Sequence, residues 1–144
     1  MTHDWIEGGH YMDVPFDDLL TKMLDEQLMD NTIVMLFSDH GFRYGKLRET
    51  HTGEMESRLP FMYIRLPENI DQRYVRNLRQ NQKRLTTAFD IHATLTHLID
   101  GKPDPLLPHG QSLFDDVLSD ERDCNSSSIP DAFCSCYEDI ILSF

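Results

Sequence analysis

No segment of the chain restricts the fold as tightly as Thr32-Ile33-Val34-Met35-Leu36-Phe37, which stops abruptly at Ser38-Asp39-His40-Gly41. A continuous β-branched and apolar run with no polar alternation predicts a strand covered on both faces, as in a parallel sheet. Ligands of open α/β sheets bind beyond the carboxyl ends of such strands. The Asp-His pair is therefore delivered to the edge where a binding site would form.

The flanking segments fit an α/β alternation. Phe16, Leu19, Leu20, Met23, Leu24 and Leu28 recur at spacings of three and four and predict a helix beginning near Val14. Pro15 suits an early helical position, and Asp17 and Asp18 suit the helix dipole. Asp30-Asn31 breaks the pattern. Residues 42–58 are charged, contain Gly45 and Gly53, and read as a long polar loop. Leu59 to Leu66 reads as a second strand entered through Pro60. An exposed helix is expected over 71–84, and another over Phe89 to Ile99 with Ile91, Leu95, Leu98 and Ile99 on its apolar face. Gly101 is its natural stop. Helix, strand, loop, strand, helix and helix imply an α/β fold with a mostly parallel sheet. Two strands are too few for a complete sheet of that kind, which has about five or more.

A length of 144 residues suits one domain. The net charge of −12 argues against a nucleic-acid partner, because phosphate backbones need a cationic face. No apolar run of about 20 residues offers a membrane span. The 3 cysteines, Cys124, Cys134 and Cys136, crowd the polar end of the sequence. That clustering suggests a disulfide staple formed in an oxidising compartment, with one thiol left over. Asn125-Ser126-Ser127 is an N-glycosylation acceptor pattern that leans the same way.

A carboxylate next to an imidazole is a suitable ligand set for zinc, and also for manganese or iron. The competing reading is that Asp39 caps a turn and His40 only hydrogen-bonds. His51 lies across the polar loop, where it either reaches the same ion or anion or remains a solvated side chain. His3 and Asp4 form a second His-Asp pair, and His10 follows. His92 and His97 fall on the last helix, and His92 there suits a hydrogen-bonded structural role better than a ligand role. Arg43, Lys46, Arg48 and Arg58 make the one locally cationic stretch, suited either to an anionic group or to ion pairs with Glu49, Glu54 and Glu56. Ion pairing is the better reading for Arg58, and Arg43 stays open.

The chain resembles a known family over nearly its whole length. The matching stretches are Asn31-Thr32-Ile33-Val34, Ser38-Asp39-His40-Gly41-Phe42-Arg43-Tyr44-Gly45, Arg48-Glu49-Thr50 and Glu56-Ser57-Arg58-Leu59-Pro60-Phe61. Leu85 through Leu95, Gly110-Gln111-Ser112-Leu113-Phe114, and the Arg122-Asp123-Cys124 … Cys134-Ser135-Cys136 ending continue the match. Together they resemble the sulfatase-like family called domain of unknown function 229, placed in the alkaline-phosphatase/sulfatase superfamily. The resemblance implies the C-terminal half of a three-layer α/β sandwich, with residues 1–118 a partial domain and 119–144 a cysteine-containing tail. It implies that Asp39 and His40 are ligands to a divalent metal, zinc first and calcium or manganese as alternatives. His3 and His51 would contact metal or substrate; at the position of His51 many relatives carry an aromatic residue. The substrate would be an anionic phosphate or sulfate ester, on a small molecule, glycan or lipid. The superfamily's Thr, Ser or modified Cys nucleophile lies far upstream of the Asp-His-Gly motif, and Thr2 and Thr21 are poor substitutes. The expectation is therefore a fragment of a metal-dependent ester hydrolase, inactive alone, belonging to an extracellular or secretory-lumen protein. The alternative is a non-catalytic secreted binding or structural protein of the same fold.

Overall fold

The computed structural model describes residues 6–136, with Ile6 described in its backbone only. The chain divides into two compact units, one ending at Ile70 and the other beginning at Asp71.

In the first unit a 3-10 turn, Ile6–Gly9, leads into α1, His10–Asp25. The helix starts ahead of the position its apolar spacing suggests, so Pro15 lies inside it and withholds one i to i−4 donor. Phe16, Leu20 and Met23 are half-buried, while Leu19, Leu24 and Leu28 are exposed. The helix ends where Gln27 takes φ 57° and Leu28 N–H donates to Met23 O at 2.9 Å. That left-handed residue with a bond back across the last turn satisfies carbonyls that the helix leaves open.

Strand β1, Val34–Phe37, pairs with β2, Met62–Arg65, in register Val34 to Arg65 and Phe37 to Met62. The pair is antiparallel, which corrects the parallel expectation for these strands. The reason lies in the connection. The chain leaves β1 at Phe37 and returns directly opposite it at Met62, whereas a parallel partner would require a crossover to the far end of the sheet. An unalternating apolar run reports burial and is silent on strand direction. Here even the burial is partial: Val34, Met35 and Leu36 are half-covered, and Phe37 is 46% exposed. β2 alternates half-buried Met62 and Ile64 with exposed Tyr63 and Arg65. Arg65 Nη1 reaches back to Met29 O at 2.8 Å, tying β2 to the segment that enters β1.

The second unit is organised by two helices around one loop. α3, Gln72–Asn81, starts on Asp71, whose carboxylate accepts from Arg73 N–H. α4, Ala88–Asp100, starts with a reciprocal box between Thr87 and Asp90 and stops at Gly101 with φ 70°, the stop expected from the sequence. The loop 111–118 fills the core, with Leu113, Phe114 and Leu118 at most 2% exposed. Tyr74 stacks on Phe114 at 5.1 Å. Asn81 donates to Leu113 O and Asp116 O and accepts from Leu118 N–H at 2.8 Å. Asn77 donates to Phe114 O and Asp115 O. The Leu113-to-Leu118 stretch is thus held in place by the side-chain amides of α3.

The apolar face expected for α4 is not its buried face. Asp90, Ala93, Thr94 and His97 are buried, whereas Leu95 is 40% and Ile99 83% exposed. Polar side chains go inside because each finds a partner. Thr94 Oγ1 donates to Asp90 O and accepts from Leu113 N–H, and His97 Nδ1 bonds Ser112 Oγ at 2.8 Å. His92, for which a structural hydrogen-bonded role was expected, is exposed. Asp90 also accepts from Arg122 Nη1 at 3.1 Å and Nη2 at 3.2 Å and from Gln111 N–H at 2.8 Å, so Arg122 ties its part of the chain into this unit. Cys124 and Cys134 are joined by a disulfide, and Cys136 is a free, exposed thiol.

Candidate metal centre

The site is built from the point where β1 stops pairing. Ser38 N–H donates to Phe61 O at 3.1 Å, and Ser38 Oγ accepts from Phe61 N–H at 3.2 Å. Asp39 follows with its side chain 88% exposed, and its Oδ1 accepts from the His40 backbone N–H at 2.9 Å. The His40 ring is 23% exposed and its Nδ1 lies 2.7 Å from Gly41 O. A carbonyl only accepts, so Nδ1 carries the hydrogen. The other ring atom, Nε2, lies 3.6 Å from Asp39 Oδ2.

This arrangement contains both local hydrogen bonds that a purely structural role would use, through Oδ1 and Nδ1. The atoms that face one another are the second pair, Oδ2 and Nε2. A metal-bound histidine ordinarily donates its other N–H to a carbonyl or carboxylate, which fixes tautomer and ring orientation. Two donors at zinc distance and tetrahedral angle stand roughly 3.3–3.4 Å apart. The observed 3.6 Å is close enough for a small torsional adjustment, so the pair fits one ion. The same geometry also serves a His⁺–carboxylate contact.

Gly41 makes the turn workable. A Cβ there would collide with the backbone carbonyl of Glu56, so only glycine allows the return segment to lie against the motif. That segment is ordered, contrary to the loop expected over 42–58. Lys46–Glu49 forms a 3-10 turn and His51–Arg58 forms α2. Thr50 caps α2, its Oγ1 accepting from Gly53 N–H at 3.0 Å. The two glycines that suggested a loop are used otherwise: Gly45 takes φ 72°, and Gly53 is buried against the Leu47 carbonyl. The readable signal was Thr50 ahead of Glu54, an N-cap followed by first-turn acid.

Of the other sequence candidates, His51 is the exposed first residue of α2, and Arg43, Lys46 and Arg48 are exposed. Arg58 pairs with Glu54 at 2.8 Å. Among the described residues, Asp39, His40 and His51 do not gather into a three-donor cluster. The cluster that does form is Cys124, Cys134 and Cys136, whose sulfur atoms lie within 4.8 Å of one another. Asn125 is exposed beside it. His3 lies outside the described residues. Glu56 was read from sequence only as an ion-pair partner; against Gly41 it contributes a backbone atom and no side-chain chemistry.

No helix among the described residues is long and apolar enough to cross a membrane. Neither the curated proteins nor the solved structures gave a match to this chain. A family model does match, over residues 1–143, and the chain belongs to the family described as "Protein of unknown function (DUF229)".

Proposed function

We propose that the Asp39–His40 turn supplies two ligands of a divalent-metal site, zinc by preference, in a sulfatase-like phosphate or sulfate ester hydrolase. The observation that carries this reading is the convergence of Asp39 Oδ2 and His40 Nε2 at 3.6 Å, with His40 Nδ1 anchored on Gly41 O. A bound divalent ion supplies Lewis acidity toward ester oxygens. The residues of this chain orient and fix the donors: Gly41 O holds the imidazole tautomer, and the His40 backbone N–H holds the carboxylate rotamer. Arg43 is exposed a few residues on and suits an anionic ester group, in which a cationic side chain favours negative oxygens.

On this reading the β1–β2 pair is one portion of a larger three-layer sandwich. A two-stranded sheet is marginal by itself, and Phe37, Phe61 and Tyr63 are all more than 40% exposed. An extracellular or secretory-lumen setting is supported by the Cys124–Cys134 disulfide and the exposed Asn125 acceptor. The test is calorimetric titration of zinc into the disulfide-intact chain and its Asp39→Ala variant. Binding is expected to weaken by at least about tenfold, the lower range for disturbing a metal site's fixed surroundings. Unchanged affinity in the variant would sink the assignment.

The non-catalytic reading gains from one observation: no third carboxylate, imidazole or thiolate joins Asp39 and His40 among the described residues. Metal-dependent turnover of aryl phosphate or aryl sulfate by this chain would refute the non-catalytic reading, and with it the expectation that the chain is inactive alone.

A further inference from the structure

The cysteine cluster is independent of the Asp39–His40 site. Its three sulfur atoms lie within 4.8 Å of one another, two of them in the Cys124–Cys134 disulfide and the third an exposed thiol. Cys134 is buried and Cys136 is not. A thiolate attacks a disulfide sulfur directly, so an accessible thiol held this close is placed for exchange. We infer that Cys136 is an internal exchange partner of the Cys124–Cys134 disulfide, so that the chain has two pairing states.

Attack on Cys124 is the productive direction. It closes a loop only two residues longer than the existing separation of 10. Attack on Cys134 would force a ring across a single intervening residue, outside the geometry most disulfides adopt. The step balances without oxidant or reductant. The Cys136 thiolate forms a bond to Cys124 Sγ, the Cys124–Cys134 bond breaks, and its electron pair leaves on Cys134. The proton given up by Cys136 is returned to Cys134. The exposed thiol is thereby exchanged for a buried one. Ser135 Oγ, between the two competing cysteines, is buried with no hydrogen-bond partner among the described residues. Such an orphan group is costly, and movement of the 134–136 segment gives it a way to solvent.

The chain is incubated under native conditions at mildly alkaline pH without reductant, acid-quenched at intervals, alkylated and cut before Asp123 and Asp131. Fragment ions on either side of Ser135 show whether Cys134 or Cys136 carries the alkyl group. The expected result is a Cys134 label that grows to more than about one tenth of the Cys136 label, matching a gap between states of under about 1.4 kcal/mol. In Cys134→Ser, mild oxidation is expected to yield a Cys124–Cys136 disulfide. Label confined to Cys136 at all times, in a chain that scrambles readily once denatured, would overturn the inference. So would a folded Cys134→Ser variant whose Cys124 and Cys136 both stay alkylatable after oxidation.

Discussion

Replacing Arg122 by Met tests whether the second unit hangs on one buried ion pair. Asp90 is fully buried and the Arg122 side chain is 11% exposed, so solvent screens their contact little. The guanidinium donates to both carboxylate oxygens, at 3.1 and 3.2 Å. Removing one member of a buried pair costs about 3–5 kcal/mol, because the remaining charge is left uncompensated. Asp90 would keep the Thr87 and Gln111 N–H groups, both at 2.8 Å. Those bonds place the expected loss at the lower end, about 3 kcal/mol. With a urea slope of about 1–3 kcal/mol/M, the midpoint should fall by about 1–3 M. Far-UV circular dichroism of the whole chain reads the midpoint. Amide exchange at Leu113 and Leu118, whose N–H groups bond Thr94 and Asn81, reads this unit specifically. The double variant Asp90→Leu with Arg122→Met should lose less than the sum of the single variants, since neither charge is then stranded. A single-variant loss below about 1 kcal/mol, in the range of an exposed pair, would refute the reasoning.

Gly41→Ala should destabilise the first unit by about 1–3 kcal/mol, the range for forced overpacking, because its Cβ meets the Glu56 carbonyl; an unchanged urea midpoint would contradict the close approach. The Asp123 carboxyl is held below its ordinary value of 3.8, chiefly by the Ser126 backbone N–H and then by the Ser126 hydroxyl. A lowered folded pKa means that the bond's contribution is present above pH 3.8 and fades as pH falls through the folded value. The Ser126 amide shift in an NMR titration should accordingly have its midpoint below 3.8, and a midpoint at or above 3.8 would exclude that bond.

Much of the architecture was readable where backbone chemistry is local. Gly101 and the abrupt end of the run at Ser38 each locate a boundary through one residue's own preference. The strand direction was not readable, because it depends on which end of β1 the return segment meets. The buried face of α4 was misjudged for a related reason. Hydropathy favours Leu95 and Ile99 inside, whereas Asp90, Thr94 and His97 are inside through partners at Gln111, Leu113, Ser112 and Arg122. Those partners are distant in sequence, and satisfied hydrogen bonds offset a burial that propensity alone forbids. At the candidate site, Asp39 and His40 were legible as donor types. The anchoring of His40 on Gly41 O and the bracing of Gly41 by Glu56 were not, since both are backbone contacts with no compositional signature.

The ladder between β1 and β2 ends in an unusual way. Opposite Phe61, the expected acceptor is the backbone carbonyl of residue 38, yet the Phe61 N–H is taken by Ser38 Oγ. A hydroxyl standing in for a carbonyl satisfies the last donor of one strand while freeing the other strand's main chain to turn away. The serine of Ser-Asp-His-Gly is therefore an exit point from the sheet: it ends the pairing on a fixed rung and sets the angle at which Asp39 and His40 depart. Alanine at this position would leave the side chains of Asp39 and His40 intact and still blur where they point, because the Phe61 N–H would lose its acceptor one residue before them.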